Sequence, residues 1–479
     1  MKKIIEKIKK SWLIKRTTTL LLMAFLVAIF IAISILVSNL KLNPIDFTSE
    51  KLYTLTDISK ERTKNIEKDV NIYFIGYSEG AAVLDLAKQY HNANEKINVE
   101  TATSTQRPDL VQKYGISEGS TGIIVESGEK TKILSNQDFY TYDMTLGKEI
   151  DITEEKLTNA ILYVTADKIP TVYFLQGYSE FSVNQNMNYL TTYLENEVTQ
   201  YKTLNLLAEG QIPEDCDTLI ITTPSKDFDD IATASIVNYI NKGGNILWFN
   251  MAITAQQNLT NVNKILSMYG VKPFEVGVIN ETDIAKMQDE NQTIIIPTVN
   301  YSTITKNIPG VLMINATKLN FVSDEELQKL NVTKTNIMQT SENAFFRTNF
   351  AIMSNRKEQN EEEGSFIVAA ELDKIVENTS QKTSKLIIYG ENLFISDYTL
   401  TQSSSYPLIM YSYNKDLAID SIAYLVDRQE DIVIRKNTNT TNYTATVEQN
   451  TIIQAIIYGV PVLIIIAGIV VWQIRRRKK

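Results

Sequence analysis

Histidine and cysteine are almost missing from this chain. Its 479 residues hold one of each, His91 and Cys216. Ser-His-Asp and Cys-His catalysis need an imidazole beside the nucleophile. His91 sits among polar neighbours, Tyr90 to Asn94, on an expected helix and reads as exposed surface. It falls in a different expected domain from Cys216, so the two do not form a Cys-His pair. One Cys makes no intrachain disulfide, and zinc sites built from several His or Cys cannot be assembled. The chain also lacks G-x-x-x-x-G-K-[ST] and a G-x-G-x-x-G run after a strand, which excludes a P-loop and a dinucleotide fingerprint. Without C-x-x-C, thiol redox chemistry is excluded as well. No metal, no cofactor and no direct ATP binding are expected.

Two segments lack charge altogether, 17–40 and 451–474. As helices they would each span roughly 36 Å, enough to cross a hydrocarbon core with some tilt. Residues 1–16 carry seven Lys/Arg and one Glu, and 475–479 are all Arg or Lys. By the positive-inside rule both termini are expected in the cytoplasm and residues 41–450 outside. The basic leader, with Ile4, Ile8 and Trp12 at helical spacing, reads as an amphipathic segment on the inner leaflet. The formal net charge is -9; the tails carry +6 and +5, leaving -20 on the portion between the spans. Such a surface repels polyanions, so nucleic acid is not an expected partner.

The outer portion reads as two α/β domains. In 41–166 the order β-α-β-α-β-β (Val70 to Ile75, Ala81 to Asn94, Ile97 to Thr101, Pro108 to Tyr114, then a hairpin through Ser127 to Lys130) resembles a thioredoxin-like layout. In 167–435 strands alternate with helices, which indicates parallel βαβ units in a flavodoxin-like (glutaminase-like) sheet. A less periodic insertion covers about 275–365. Its acidic loop, Glu358 to Gly364, has no EF-hand spacing and reads as solvated. A polar linker, 436–450, leads to the second span.

The stretch Ile169 to Phe181 (IPTVYFLQGYSEF) reads as a buried strand running into a Gly turn, the way a parallel strand ends at a ligand crevice. A second strand, Asp217 to Thr223, ends at Pro224 and is followed by Asp227, Asp229 and Asp230. Gly177, Tyr178, Glu180, Pro224 and Asp227 are therefore the candidate ligand- or partner-binding residues, and no catalytic residue is assigned. Two carboxylates at such an edge could cleave a glycosidic bond. The structural alternative has Asp227 or Asp229 capping the helix that follows and Glu180 in the first turn of its own helix.

Several blocks resemble the GldG-type auxiliary proteins of ABC transporters. Asp46, Thr48, Lys51, Tyr53 and Leu55 match a motif after the first span. Glu154 to Ile161 (EEKLTNAI) matches a later segment, and Val172 to Glu180 matches a V-Y-F-L-x-G-H-x-E strand with Tyr178 in place of the His. Residues 217–251, Phe366 to Glu371, Leu386 to Phe394, Asn414 to Asp427 and Gly459 to Arg477 follow in family order. The resemblance implies a non-enzymatic, membrane-anchored subunit of an ABC-2-type export complex, with the permease and the ATPase on separate chains. The alternatives from other classes are a cell-surface glycan-processing hydrolase and a sugar-binding receptor or adhesin.

Overall fold

A computed structural model describes residues 54–428 except 117–119, 144–147, 197, 254–257, 353, 378–381 and 402–405, together with the helical residues Phe25, Ala28, Ile29 and Ile31. The chain divides into two compact units, Met1–Thr54 and Leu55–Lys479. Among the described residues no helix is long and apolar enough to cross a membrane. The expected spans, tails and linker lie outside those residues, apart from the four helical ones in 17–40. The motif residues Asp46, Thr48, Lys51 and Tyr53 lie outside them too.

The second unit opens with α1 (Asp57–Lys64), whose N-cap Thr56 accepts from Ser59 N. A four-stranded sheet follows: β1 (Val70–Ile75), β2 (Ile97–Ala102), β3 (Gly122–Ser127) and β4 (Lys130–Leu134), in the order β2-β1-β3-β4. β1 and β2 are parallel, and β3 runs antiparallel to both β1 and β4. The crossover helix is α2 (Ala82–Ala93). α3 (Pro108–Tyr114) begins on Pro108, whose missing N–H costs nothing in a first helical turn, and stops at left-handed Gly115. A hairpin of β5 (Tyr140–Asp143) and β6 (Lys148–Asp151) leads to α4 (Thr153–Thr165). α4 lays Leu157, Ala160, Ile161 and Val164 on β1 and β3, one stripe at helical spacing.

The larger sheet has eight strands. Five are parallel: β7 (Thr171–Leu175), β8 (Gln200–Leu204), β9 (Thr218–Thr222), β10 (Asn245–Phe249) and β14 (Lys382–Tyr389), in the spatial order β8-β7-β9-β10-β14. β7 and β9 are buried along their whole length, as strands covered on both faces must be. On one face Val172, Phe174, Ile220, Leu247 and Phe249 meet α5 (Asn188–Asn196) and α8 (Asn414–Leu425). On the other, Tyr173, Leu219, Ile221 and Trp248 meet α6 (Asp230–Asn241) and α7 (Thr260–Ser267).

The sheet corrects the expectation of a parallel-sheet domain with an interrupting insertion, because it is mixed. β11 (Thr298–Val299), β12 (Val332–Gln339) and β13 (Ile367–Glu377) extend it beyond β14 in antiparallel pairing. Residues 275–365 thus supply two strands of the main sheet. Their pairing partners lie far off in sequence, so local periodicity carries no sign of it. The acidic loop is tied down: Arg347 pairs with Glu361, both nearly buried, and its guanidinium also donates to Ser354 O and Arg356 O.

Two expected helices are shorter than their sequence pattern. The helical pattern of residues 184–200 breaks at buried Met187 and restarts as α5. The Asp397 carboxylate, 209 residues away, accepts from Asn188 N at 2.7 Å and creates that second N-terminus. The helical pattern of residues 256–269, of which 256 and 257 lie outside the described residues, forms helix only over α7.

The centre of the sheet depends on Phe249, which stacks on Tyr389 at 5.4 Å and meets Phe394 edge-on at 5.6 Å. Phe249→Ala is expected to cost about 3–5 kcal/mol of unfolding free energy, since the cavity would lie under three rigid elements. Urea titration of the two proteins measures this; a loss well under 1 kcal/mol would contradict the packing described.

Candidate functional site

The order β8-β7-β9-β10-β14 reverses direction between β7 and β9. Ligands of open α/β sheets bind at such a point, outside the carboxyl ends of the strands. The candidate residues from both loops meet here. Gly177 turns the chain at φ +92°, a conformation that favours glycine, and is exposed. The next residue, Tyr178, is 4% exposed and turns inward.

Tyr178 joins the two loops. Its ring packs edge-on against Phe228 at 4.9 Å, and Phe228 in turn meets Trp248 at 6.2 Å. Its hydroxyl donates to Asp229 Oδ2. Its carbonyl accepts from Ser225 N at 2.8 Å and from Lys226 N at 3.4 Å. One residue before Thr223, the Thr222 hydroxyl donates to Phe181 O at 2.8 Å. Pro224 is buried beneath these contacts. The turn after β7 is therefore stitched across the end of β9, and the chain itself fills the switch point.

The carboxylates are divided among helix ends. Asp229 is the N-cap of α6 and accepts from Ala232 N at 2.9 Å. Asp227 does not cap the helix that follows it. It accepts from Asn261 N at 2.9 Å and Val262 N at 3.0 Å, and so caps α7, a helix 34 residues on. Glu180 is exposed, lies three residues ahead of the short helix Val183–Asn186, and makes no hydrogen bond or ion pair among the described residues. Asp229 and Tyr178 have the wrong poise for proton exchange. The hydrogen bond from Tyr178, with that from Ala232 N, holds the Asp229 carboxyl below the usual carboxylate range. Burial, reinforced by that carboxylate, raises the Tyr178 phenol well above its ordinary value. At neutral pH the phenol only donates and the carboxylate only accepts.

The lone thiol is inert by placement. Burial pushes the Cys216 thiol up to about 12, so it is not a thiolate at neutral pH. His91 is exposed, and its Nδ1 lies 2.8 Å from Ile97 O. Among the described residues no group of His, Cys, Asp or Glu is placed to hold a metal ion. Among the perturbed acids outside the expected set is Glu391, just past β14, which is wholly buried. Burial pushes its carboxyl up to about 8, against the opposing pull of hydrogen bonds from Phe394, Leu393 and Ile314 backbone amides. It accepts from Leu393 N and Phe394 N and so starts the 3-10 turn Leu393–Ile395. The only sequence signal for it is a Glu one residue after Gly390, at the end of an apolar run.

Two outcomes follow. Tyr178→Phe keeps the ring and removes the hydroxyl, so unfolding free energy at pH 7 is expected to fall by about 1 kcal/mol. The Asp229 carboxyl is depressed in the folded chain. Its contribution is therefore present above the unfolded carboxylate range and lost as pH falls through the folded value. The Tyr178→Phe chain should show a smaller acid-side loss; identical urea midpoints for both chains at pH 7 and pH 3 would contradict the clasp. Glu391 has the opposite sign. Its contribution is fully present below the unfolded carboxylate range and is lost as pH rises from there to about 8. Glu391→Gln should flatten melting temperature between pH 5 and pH 8, and an unchanged slope would show that Glu391 is not the group responsible.

Comparison with curated proteins gives no significant match. Two solved structures share weak similarity. One, titled "mmIFT52 N-terminal domain", is 14% identical over 53% of this chain and 96% of that one, with a TM-score of 0.37. The other, a putative ThuA-like protein from Bacteroides uniformis ATCC 8492, is 12% identical over 53% and 90%, with a TM-score of 0.32. Likenesses that weak carry no argument. The family described as an ABC-type uncharacterized transport system matches residues 169–421, just over half of the chain and nearly all of the larger sheet. The chain belongs to that family of auxiliary components of ABC-type transport systems.

Proposed function

We propose that the chain is a non-catalytic, membrane-anchored subunit of an ABC-2-type export complex, of the GldG type. Two spans, 17–40 and 451–474, would hold it in the cell membrane with both termini in the cytoplasm and residues 41–450 outside. The ATPase and the multi-span permease would be separate chains. The strand order β2-β1-β3-β4 supports reading the smaller sheet as thioredoxin-like. The order β8-β7-β9-β10-β14 supports a flavodoxin-like core for the larger one.

One observation carries the non-catalytic reading. The switch point, where this architecture places its chemistry, is filled by Tyr178 and closed by the Tyr178–Asp229 hydrogen bond. Glycan hydrolysis would need two carboxylates facing one bond. Asp227 is committed to the amides of α7, and Glu180 points to solvent without a partner carboxylate. What the ectodomain offers is a surface for a partner or substrate.

The full-length chain, extracted in mild detergent, should co-purify with a Walker-A ATPase and a multi-span permease; a clean monomer without either would remove the transporter assignment. The orientation has its own test. Glu180→Cys should react with a membrane-impermeant maleimide in intact cells, whereas Lys9→Cys should react only after permeabilisation. The reverse pattern would invert the topology.

A further inference from the structure

Every parallel strand of the larger sheet is followed, in the loop or the first helical turn beyond its carboxyl end, by an exposed large apolar side chain. Tyr189 follows β7, Leu207 follows β8, Ile231 follows β9, Met251 follows β10, and Tyr398 and Tyr406 follow β14. They are 36–59% exposed. Single exposed apolar residues are ordinary on a protein surface, but their recurrence after all five parallel strands on one edge is not.

The tyrosines are held in place. The Thr399–Pro407 bridge pairs two short antiparallel segments, which puts Tyr398 and Tyr406 on the same side of that ribbon. Asn186 Nδ2 donates to Tyr398 OH, and Tyr189 N donates to Asp397, the residue before Tyr398. On the other face the Leu207 helix, Leu206–Glu209, packs against α6, whose first turn carries Ile231. Rigid tyrosines offer large contact area at little entropic cost, and Tyr and Met are enriched at protein interfaces.

From this we infer that the carboxyl edge is a docking face for a polypeptide that presents apolar side chains ringed by Lys and Arg. The rim decides the occupant. The exposed charges in these loops are Glu180, Glu209 and Asp230 against Lys226. An acidic rim favours a basic partner surface and repels both a second copy of this chain and an anionic membrane. The filled switch point leaves a surface rather than a crevice, which favours a macromolecule over a small ligand. The edge also faces away from the chain's other attachments. The smaller sheet contacts the opposite end, through Lys68 to Asp167 and Lys132 to Glu195 O. α8 ends there too, with Asn245 Nδ2 donating to Leu425 O and Arg428 to Val198 O. That the partner lies outside the cell rests on the membrane-anchored reading above.

The test uses the full-length chain in its own membranes, with a benzophenone-bearing residue replacing Tyr398. Irradiation should join it to another polypeptide, and the linked peptide should carry apolar residues beside Lys or Arg. Adding Tyr189→Glu and Ile231→Glu should lower the yield about tenfold, as charges placed in a desolvated contact do. Ile375→Glu, exposed at the far end of β13, should leave it unchanged. All three sites are on the surface, and melting temperatures matching the parent chain confirm folding. An adduct with lipid, with glycan or with a second copy of this chain overturns the inference. So does the lack of any adduct, or a yield indifferent to the two charge substitutions. Co-purifying permease and ATPase without a cross-link would remove the docking face and keep the transporter assignment. A cross-link without co-purification would do the reverse.

Discussion

The hydrogen bond from Tyr178 to Asp229 is the constraint on which the functional reading of this chain depends. It spans 51 residues of sequence and joins the turn after β7 to the first turn of α6. Asp229 already satisfies the α6 N-terminus, so one carboxylate fixes a helix start and a loop position together. The buried phenol and the ionised carboxylate shift in opposite directions, and each shift strengthens their fixed roles as donor and acceptor. A doubly wound sheet normally leaves its switch point open. Here the aromatic series Tyr178, Phe228 and Trp248 runs from that point into the core beneath α6 and α7.

The same device recurs along the edge. Asp227 starts α7 from a neighbouring loop, Asp397 starts α5 from across the sheet, and Glu391 starts the turn that follows it. Acidic residues that could have served as ligands or bases are spent on backbone amides, those of Asp227 and Asp397 in elements distant in sequence. The three aspartates, Asp229, Asp227 and Asp397, join the loops after β7, β9, β10 and β14 to one another, and large apolar side chains stand exposed on the same edge. Rigidity of this kind suits a face that is recognised by a partner, since little conformational entropy is lost on contact.

The parallel strands were legible because burial on both faces demands unbroken apolar runs, and TVYFL and TLIIT supply them. α3 was legible from Pro108 and Gly115, which mark its ends by backbone chemistry alone. The loops carrying Gly177, Tyr178, Glu180, Pro224 and Asp227 were found by the same logic, as strand ends of an α/β sheet. What each residue bonds was not legible. Asp227 looks like the cap of the next helix in sequence, and only tertiary placement shows that it reaches α7. The break at Met187 depends on Asp397, and the strand β12 depends on pairing with β13; neither leaves a local pattern. Glu391 shows nothing in sequence beyond its place after an apolar run, because its shifted acidity arises from burial by the whole sheet.

The closed switch point is tested most directly by hydrogen exchange on the full-length chain, followed at the amides of Ser225 and Lys226. Both donate to Tyr178 O, in a stretch that sequence alone would class as an open surface loop. The account predicts slow exchange there, on the scale of β7 and β9, because opening would separate Tyr178 from Asp229 and Phe228. Exchange as fast as in an unstructured peptide would mean that the loops part readily, and the switch point would then be an open crevice available for chemistry.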